Sequence, residues 1–168
     1  NGDTAGSNGL FFLPYLMGER SPMWKSLERS AFVGNNMQHT QHHFKRAVLE
    51  GICYALTGIA QIMDNRVVRV RRVLLSGGFT RSPEWVQLLT DMIGRKTQVT
   101  HDADASCIGA AMMGGRAAGV WKSWGEAGQY LLTGEVFQPE AANKKIYAQG
   151  APVFDQLYAP LKKTFHLI

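Results

Sequence analysis

Residues 73–85 read VLLSGGFTRSPEW, and this stretch decides the class of the fold. Val73 to Leu75 is a short apolar run closed at once by turn residues, the pattern of a buried strand. Gly77 and Gly78 carry no Cβ, so the chain can turn sharply there and another group can approach the backbone. Ser82 is placed to cap a helix, and Pro83 suits its first position, where its missing N–H removes no bond. Trp85, Leu88, Leu89 and Met92 recur on one helical face, and Gly94 ends the run. A strand, a glycine turn and a capped helix therefore follow one another directly. The same turn has features a ligand can use. Gly77 and Gly78 expose main chain, Phe79 offers a ring for a base, Ser82 offers a hydroxyl, and the helix start offers unpaired N–H groups. An ordinary tight βα turn also uses Gly-Gly, so both readings stand. The stretch is neither a G-x-x-x-x-G-K-[ST] phosphate loop nor a G-x-G-x-x-G dinucleotide fingerprint.

Towards the C-terminus, Thr97 to Thr100 reads as a strand. Asp102 or Asp104 then caps a helix from Ala105 to about Ala118. Two acids two residues apart can also act as general bases, but capping suits their place better. Ser123-Trp124-Gly125-Glu126 is a capping box opening a short helix. Residues 133–143 read as a polar connector. Lys144 to about His166 is an amphipathic helix with breaks expected near Gly150-Ala151-Pro152 and at Pro160. Towards the N-terminus, Thr40 can cap a long helix running to about Asn65. Its packed face is expected at Val48, Ile52, Leu56, Ile59 and Met63. Gly51 and Gly58 inside it each cost roughly 1 kcal/mol against Ala, which suggests close packing. Arg29 to Gly34 and Leu10 to Leu13 are short strands, Pro14 to Lys25 a structured loop and residues 1–9 a linker. Strands alternating with helices indicate an α/β layered fold.

Composition narrows the function. Of 168 residues 45% are hydrophobic and 18% charged, which supports a buried core and argues against disorder. The net charge is +5, but its densest cluster, Arg66, Arg69, Arg71 and Arg72, lacks interleaved aromatics and reads as a helix end and loop. Nucleic acid is therefore not an expected partner. Cys53 and Cys107 are expected to be buried, reduced thiols. Neither a leader nor a run of about 18 apolar residues is visible, so a cytoplasmic protein without a membrane partner is expected. The chain opens on Asn1 without Met, and an upstream extension is expected. His39, His42 and His43 have no carboxylate or Cys at matching spacing, so solvated side chains are expected and no metal. Met112 and Met113 are expected in the core, and Glu19 with Arg20 reads as a structural pair.

Three blocks carry a family resemblance. GLFFLPYLMGERSPMW, with ERSAFVG behind it, resembles the P-Y-x-x-G-E-R-x-P segment of the FGGY carbohydrate kinases. Ala31 to Glu50, with Gly34 and F-x-x-A-V-L-E at Phe44 to Glu50, resembles that family's second signature and departs from it at Asn35. LLSGGFTRSPEWVQLLTDMIG and DADASCIGAAMMG resemble its adenosine motif and closing helix. The blocks span about residues 9–120 in the family's order. Within the family, GERSPMW, Gly77-Gly78-Phe79 and the Ser106 to Ala110 segment look most like gluconokinases, with xylulokinases as the alternative.

The resemblance implies an actin-like, hexokinase-type (ribonuclease H-like) ATPase fold, residues 1–168 being the C-terminal nucleotide-binding part of a two-domain kinase truncated on its N-terminal side. It implies ATP and Mg2+, a sugar or sugar acid as acceptor, and nucleotide contacts at Gly77, Gly78, Phe79 and Ser82. Asp104 maps onto the acidic position opening the closing helix, and Gly109 and Ala110 onto its close-packed part. The catalytic aspartate, the Mg2+-binding acids and the phosphate-binding turns of the family lie upstream, so no catalytic residue is expected in this segment. Gluconate and ATP would give 6-phosphogluconate and ADP. The isolated piece is expected to be inactive and to self-associate, with a homodimer possible. A non-catalytic actin-like nucleotide-binding or interaction module is the alternative of another class.

Overall fold

Ser82 starts the central helix as its position predicts. In the computed structural model, which describes residues 4–19, 21, 24–66, 72–101 and 104–167, its Oγ accepts the Trp85 N–H at 3.3 Å. The helix, α2 (Pro83–Ile93), ends at Gly94 with φ 67°, the left-handed conformation glycine adopts without strain. It joins strand β3 (Val73–Leu75) to strand β4 (Thr97–Thr100), which pair in parallel with Val73 opposite Thr97 and Leu75 opposite Val99. Thr90 of α2 and Thr97 of β4 share a buried hydroxyl contact of 2.6 Å. Val86, Leu88, Leu89 and Met92 bury the inner face of α2 in the main core.

Around this unit lie β1 (Phe11–Leu13), β2 (Ala31–Val33), α1 (Gln41–Arg66), α3 (Ala105–Ala117), α4 (Trp124–Gly128), β5 (Thr133–Phe137) and α5 (Ala141–Phe165). β1 and β2 form an antiparallel pair, and the other sheet runs β3-β4-β5 with β5 antiparallel to β4. The α/β expectation holds. α2 packs against both α1 and α5.

Several expectations need correction. The polar connector contains β5, held by main-chain pairing to β4 and by the buried ring of Phe137. α5 starts at Ala141 and runs unbroken through Pro152 and Pro160. An interior proline costs about 3 kcal/mol, and the buried Tyr147, Phe154 and Phe165 offset this by anchoring the helix to the core. Gly150 belongs to that anchoring, because a Cβ there would collide with Tyr54 Oη.

The buried face of α1 is also not the predicted stripe. Ala47, Glu50, Gly51, Cys53, Tyr54 and Thr57 are buried, whereas Leu56 is 43% and Met63 51% exposed. The reason is a close approach: a Cβ at Gly51 would collide with the Phe12 carbonyl, so glycine sets which side of α1 lies on β1. At Gly58 no described atom lies within 4 Å, and the close-packing expectation fails there. Glu50, 3% exposed, accepts hydrogen bonds from Gly6 N–H (2.9 Å), Ser7 Oγ (2.7 Å), Arg46 Nε (3.1 Å) and Tyr147 Oη (2.9 Å). Its charge and lone pairs are thus satisfied inside the core. The span Gln41–Asp64 is long and apolar enough by length and composition to cross a membrane, but its packing on β1 and α2 around Glu50 is that of a core helix.

The start of α1 inverts the expected cap. The His43 ring reaches back, and its Nδ1 accepts the Thr40 N–H at 3.0 Å. His43 is therefore buried rather than solvated. His39 Nδ1 accepts the Asn36 N–H at 2.9 Å, and His42 is exposed. Cys53 is buried, and burial pushes its thiol up to about 12. Cys107 is exposed, against expectation, and Met113 is 66% exposed. Both lie on α3, none of whose residues is buried and whose main packing partner is the short α4.

Candidate nucleotide crevice

β3 and β4 end side by side, and in α/β folds ligands bind beyond the carboxyl ends of parallel strands. At that edge Gly77 takes φ 105° and ψ 176°, a backbone region essentially closed to residues with a Cβ. No described atom lies within 4 Å of where a Cβ would stand on Gly77 or Gly78, so the main chain of both faces open space. A single turn of 3-10 helix (Gly78–Arg81) follows. Thr80 closes it, donating both its N–H (3.1 Å) and its Oγ1–H (2.7 Å) to the Gly77 carbonyl.

A crevice of about 220 Å³ results. Gly77, Gly78, Thr80 and Arg81 line it from the β3 side, and Val99, Thr100 and His101 from the β4 side. Thr100 Oγ1 is turned to the Leu75 carbonyl at 3.4 Å. His101 is held by its N–H on the Leu132 carbonyl at 2.9 Å, and its ring lies where a side chain on Gly134 would otherwise stand. Thr80, Arg81, Thr100 and His101 were not among the expected site residues. Their signal was positional: they stand at or just beyond the carboxyl ends of two adjacent parallel strands.

The other two expected contacts stand beside the crevice. The Phe79 ring packs edge-to-face on Trp85 at 5.7 Å and joins the main core. Ser82 Oγ is taken by the Trp85 N–H and by Glu84 Oε2 at 2.9 Å. The Glu84 carboxyl is held below its usual range, first by its own main-chain N–H and then by Ser82. The Val86 N–H bonds the Ser82 carbonyl. The helix start is therefore occupied by its own chain, and the expected set of unpaired N–H groups there is largely consumed. Phe79 and Ser82 fix the turn, while Gly77 and Gly78 open it.

Asp104 is occupied as a cap. Its Oδ1 accepts the Ser106 (3.2 Å) and Cys107 (3.1 Å) N–H groups, which hold its carboxyl below the usual range, Cys107 foremost. Gly109 and Ala110 lie on α3, with no described atom near a Gly109 Cβ position. Asp102, Arg20, Arg69 and Arg71 lie outside the described residues. Arg72 bonds the Gln98 amide at 2.9 Å. In the Pro14 to Lys25 loop, Glu19 is buried beside Tyr15, whose hydroxyl is pushed up to about 12 by burial, then by Glu19 and Glu28.

Residues 3–118 match the family model described as "FGGY family of carbohydrate kinases, C-terminal domain". Over 164 residues the chain is 33% identical to the gluconokinase of Bacillus subtilis (strain 168), covering 95% of this chain and 31% of that protein. Among solved structures, the gluconate kinase of Lactobacillus acidophilus superposes with a TM-score of 0.86 at 28% identity, covering 97% of this chain and 33% of that one. The ligand-bound xylulose kinase of the same species superposes with a TM-score of 0.88, also at 28% identity and with the same coverage. The chain thus spans about a third of the length of the curated relatives it matches.

Proposed function

Since the chain belongs to the FGGY family of carbohydrate kinases, with its actin-like α/β fold, we propose that residues 1–168 form the C-terminal, nucleotide-binding part of an ATP-dependent kinase whose remaining part stands on the N-terminal side. The proposed reaction transfers the γ-phosphoryl group of ATP to gluconate, giving 6-phosphogluconate and ADP. One observation carries this reading: the crevice at the ends of β3 and β4 opens over main chain stripped of Cβ atoms at Gly77 and Gly78. Gluconate is favoured by the gluconokinase and gluconate kinase among the relatives. The xylulose kinase supports a second reading with xylulose as acceptor.

In this reading adenosine lies along Gly77 and Gly78, and Phe79 and Ser82 hold the turn against Trp85 and α2. Phosphoryl transfer depends on positioning and on charge stabilisation. In this reading the N-terminal part would supply the Mg2+-binding acids, as the family resemblance implies, and also the base that accepts the acceptor's proton. Domain closure would then bring acceptor and nucleotide together and exclude water. A cytoplasmic enzyme without nucleic-acid or membrane partners fits this role. Exposed Trp24, Met113 and Trp124 would favour self-association of the isolated piece, which light scattering would detect.

The test is coupled ADP release by the full-length protein with gluconate, xylulose, glycerol and other polyols. Gluconate should give the highest kcat/KM. A higher value for xylulose would transfer the assignment to the second reading, and no release with any acceptor would leave a non-catalytic module. The 168-residue piece alone should release no ADP with gluconate.

A further inference from the structure

A cavity of about 590 Å³ opens between the Pro14 to Lys25 loop, α1 and α5, and it shares no lining residue with the nucleotide crevice. Its walls are aromatic and acidic. Tyr15, Tyr54 and Phe154 contribute rings, and Glu19 and Asp155 contribute carboxylates. Gly58 lies in its floor, with no described atom within 4 Å of where a Cβ would stand. Asp155 is exposed on the rim, yet burial of its carboxyl holds it above the usual range. Among the described residues nothing donates a hydrogen bond to it or pairs with its charge. The Tyr15 hydroxyl reports the sign of the field. Burial raises it first, and Glu19, Glu28 and Asp155 all push it further the same way. The negative potential of three carboxylates thus meets at one ring.

One turn further along α5 the chain itself shows what suits such surroundings. Lys25 Nζ lies 4.2 Å from the centre of the Tyr158 ring and 4.0 Å from Glu28 Oε1. That ammonium is shared between a ring face and a carboxylate, each of which favours a cation. Asp155, three residues before Tyr158 and next to Phe154, repeats the combination of ring and carboxylate on the wall of the cavity.

We propose that this cavity is a second binding site, which takes a small organic cation: an ammonium group carried on an apolar body. The ammonium donates to Asp155, and the body lies against Tyr15, Tyr54 and Phe154. A neutral alcohol of the same shape leaves the carboxylate without a counter-charge. An inorganic ion keeps its water and leaves the apolar walls uncovered. The site stands apart from the phosphoryl transfer proposed above, and neither reading depends on the other.

The experiment is calorimetric titration of the full-length protein at neutral pH and fixed ionic strength, with benzylammonium, benzyl alcohol and K+ as probes. Benzylammonium should bind in the millimolar range or tighter, and both controls at least about 10-fold more weakly, the effect of one charged hydrogen bond. Asp155→Asn keeps the shape and removes the charge. At an exposed position it should leave the melting temperature unchanged, weaken benzylammonium about 10-fold or more and leave benzyl alcohol unaffected. Gly58→Leu fills the floor and should abolish binding of benzylammonium. No binding by wild type, equal affinity for benzylammonium and benzyl alcohol, or unchanged affinity in Asp155→Asn overturns the inference. K+ binding as tightly as benzylammonium reduces the site to a bare surface charge and overturns it too. So does full binding by a Gly58→Leu protein that melts like wild type. Should Gly58→Leu fail to fold, the comparison of wild type with Asp155→Asn decides.

Discussion

Glycine serves opposite ends in two regions of this chain. Where α1 crosses β1, a Cβ on Gly51 would strike the Phe12 carbonyl, and the missing side chain is filled by main chain. Where β3 turns into α2, the positions a Cβ would take on Gly77 and Gly78 are empty. The first glycine closes a contact, and the second pair keeps one open. The difference teaches that a glycine in an α/β sequence marks an approach without saying what approaches. The surroundings decide, and at Gly51 they are satisfied by the fold itself.

The largest test breaks the closed region. Glu50→Ala removes a buried carboxylate shared by Ser7, Arg46 and Tyr147. It leaves those partners unpaired and should cost about 3–5 kcal/mol, read as a fall in melting temperature of the full-length protein. Gly51→Ala comes next. The gain in helix propensity is outweighed by overpacking, for a net loss of about 2 kcal/mol. A stability equal to wild type would show that α1 can slide off β1 and that the contact is not closed.

The open region should respond in another currency. Gly77→Ala forces a Cβ into φ 105° and should cost about 1–3 kcal/mol. Ser82→Ala removes the α2 cap and should cost about 1 kcal/mol with little change in nucleotide KM. Gly78→Ala, at ordinary φ with free space around it, should alter stability by less than about 0.5 kcal/mol while raising the KM for ATP. If Gly78→Ala destabilised the protein as much as Gly51→Ala, the contrast between the regions would vanish.

Much of the frame was legible because helix ends are written locally. Ser82, Gly94, Asp104 and Ser123 each sit at the terminus their side chain or φ predicts. What escaped was set by distant partners. β5 is polar along most of its length and exists because β4 offers it an edge. The prolines of α5 announce breaks that its aromatic anchors override. The face of α1 was misjudged because an acid, Glu50, is buried on it beside Ala47 and Cys53, and an acid is no member of an apolar stripe. At the site, the paired glycines were plain in the sequence. The roles of Thr80 and Thr100 were not, since a hydroxyl's direction depends on which carbonyl lies beneath it.

The ring of bonds around Glu50 also carries a consequence for biosynthesis. Gly6, Ser7 and Arg46 leave the ribosome before or just ahead of it, but Tyr147 follows 97 residues later. At translation rates of 5–20 residues per second, that carboxylate waits about 5–20 s for its last donor. Throughout that interval the nascent chain holds a charge destined for the interior but not yet enclosed. α5 is thus the piece whose arrival lets α1 settle.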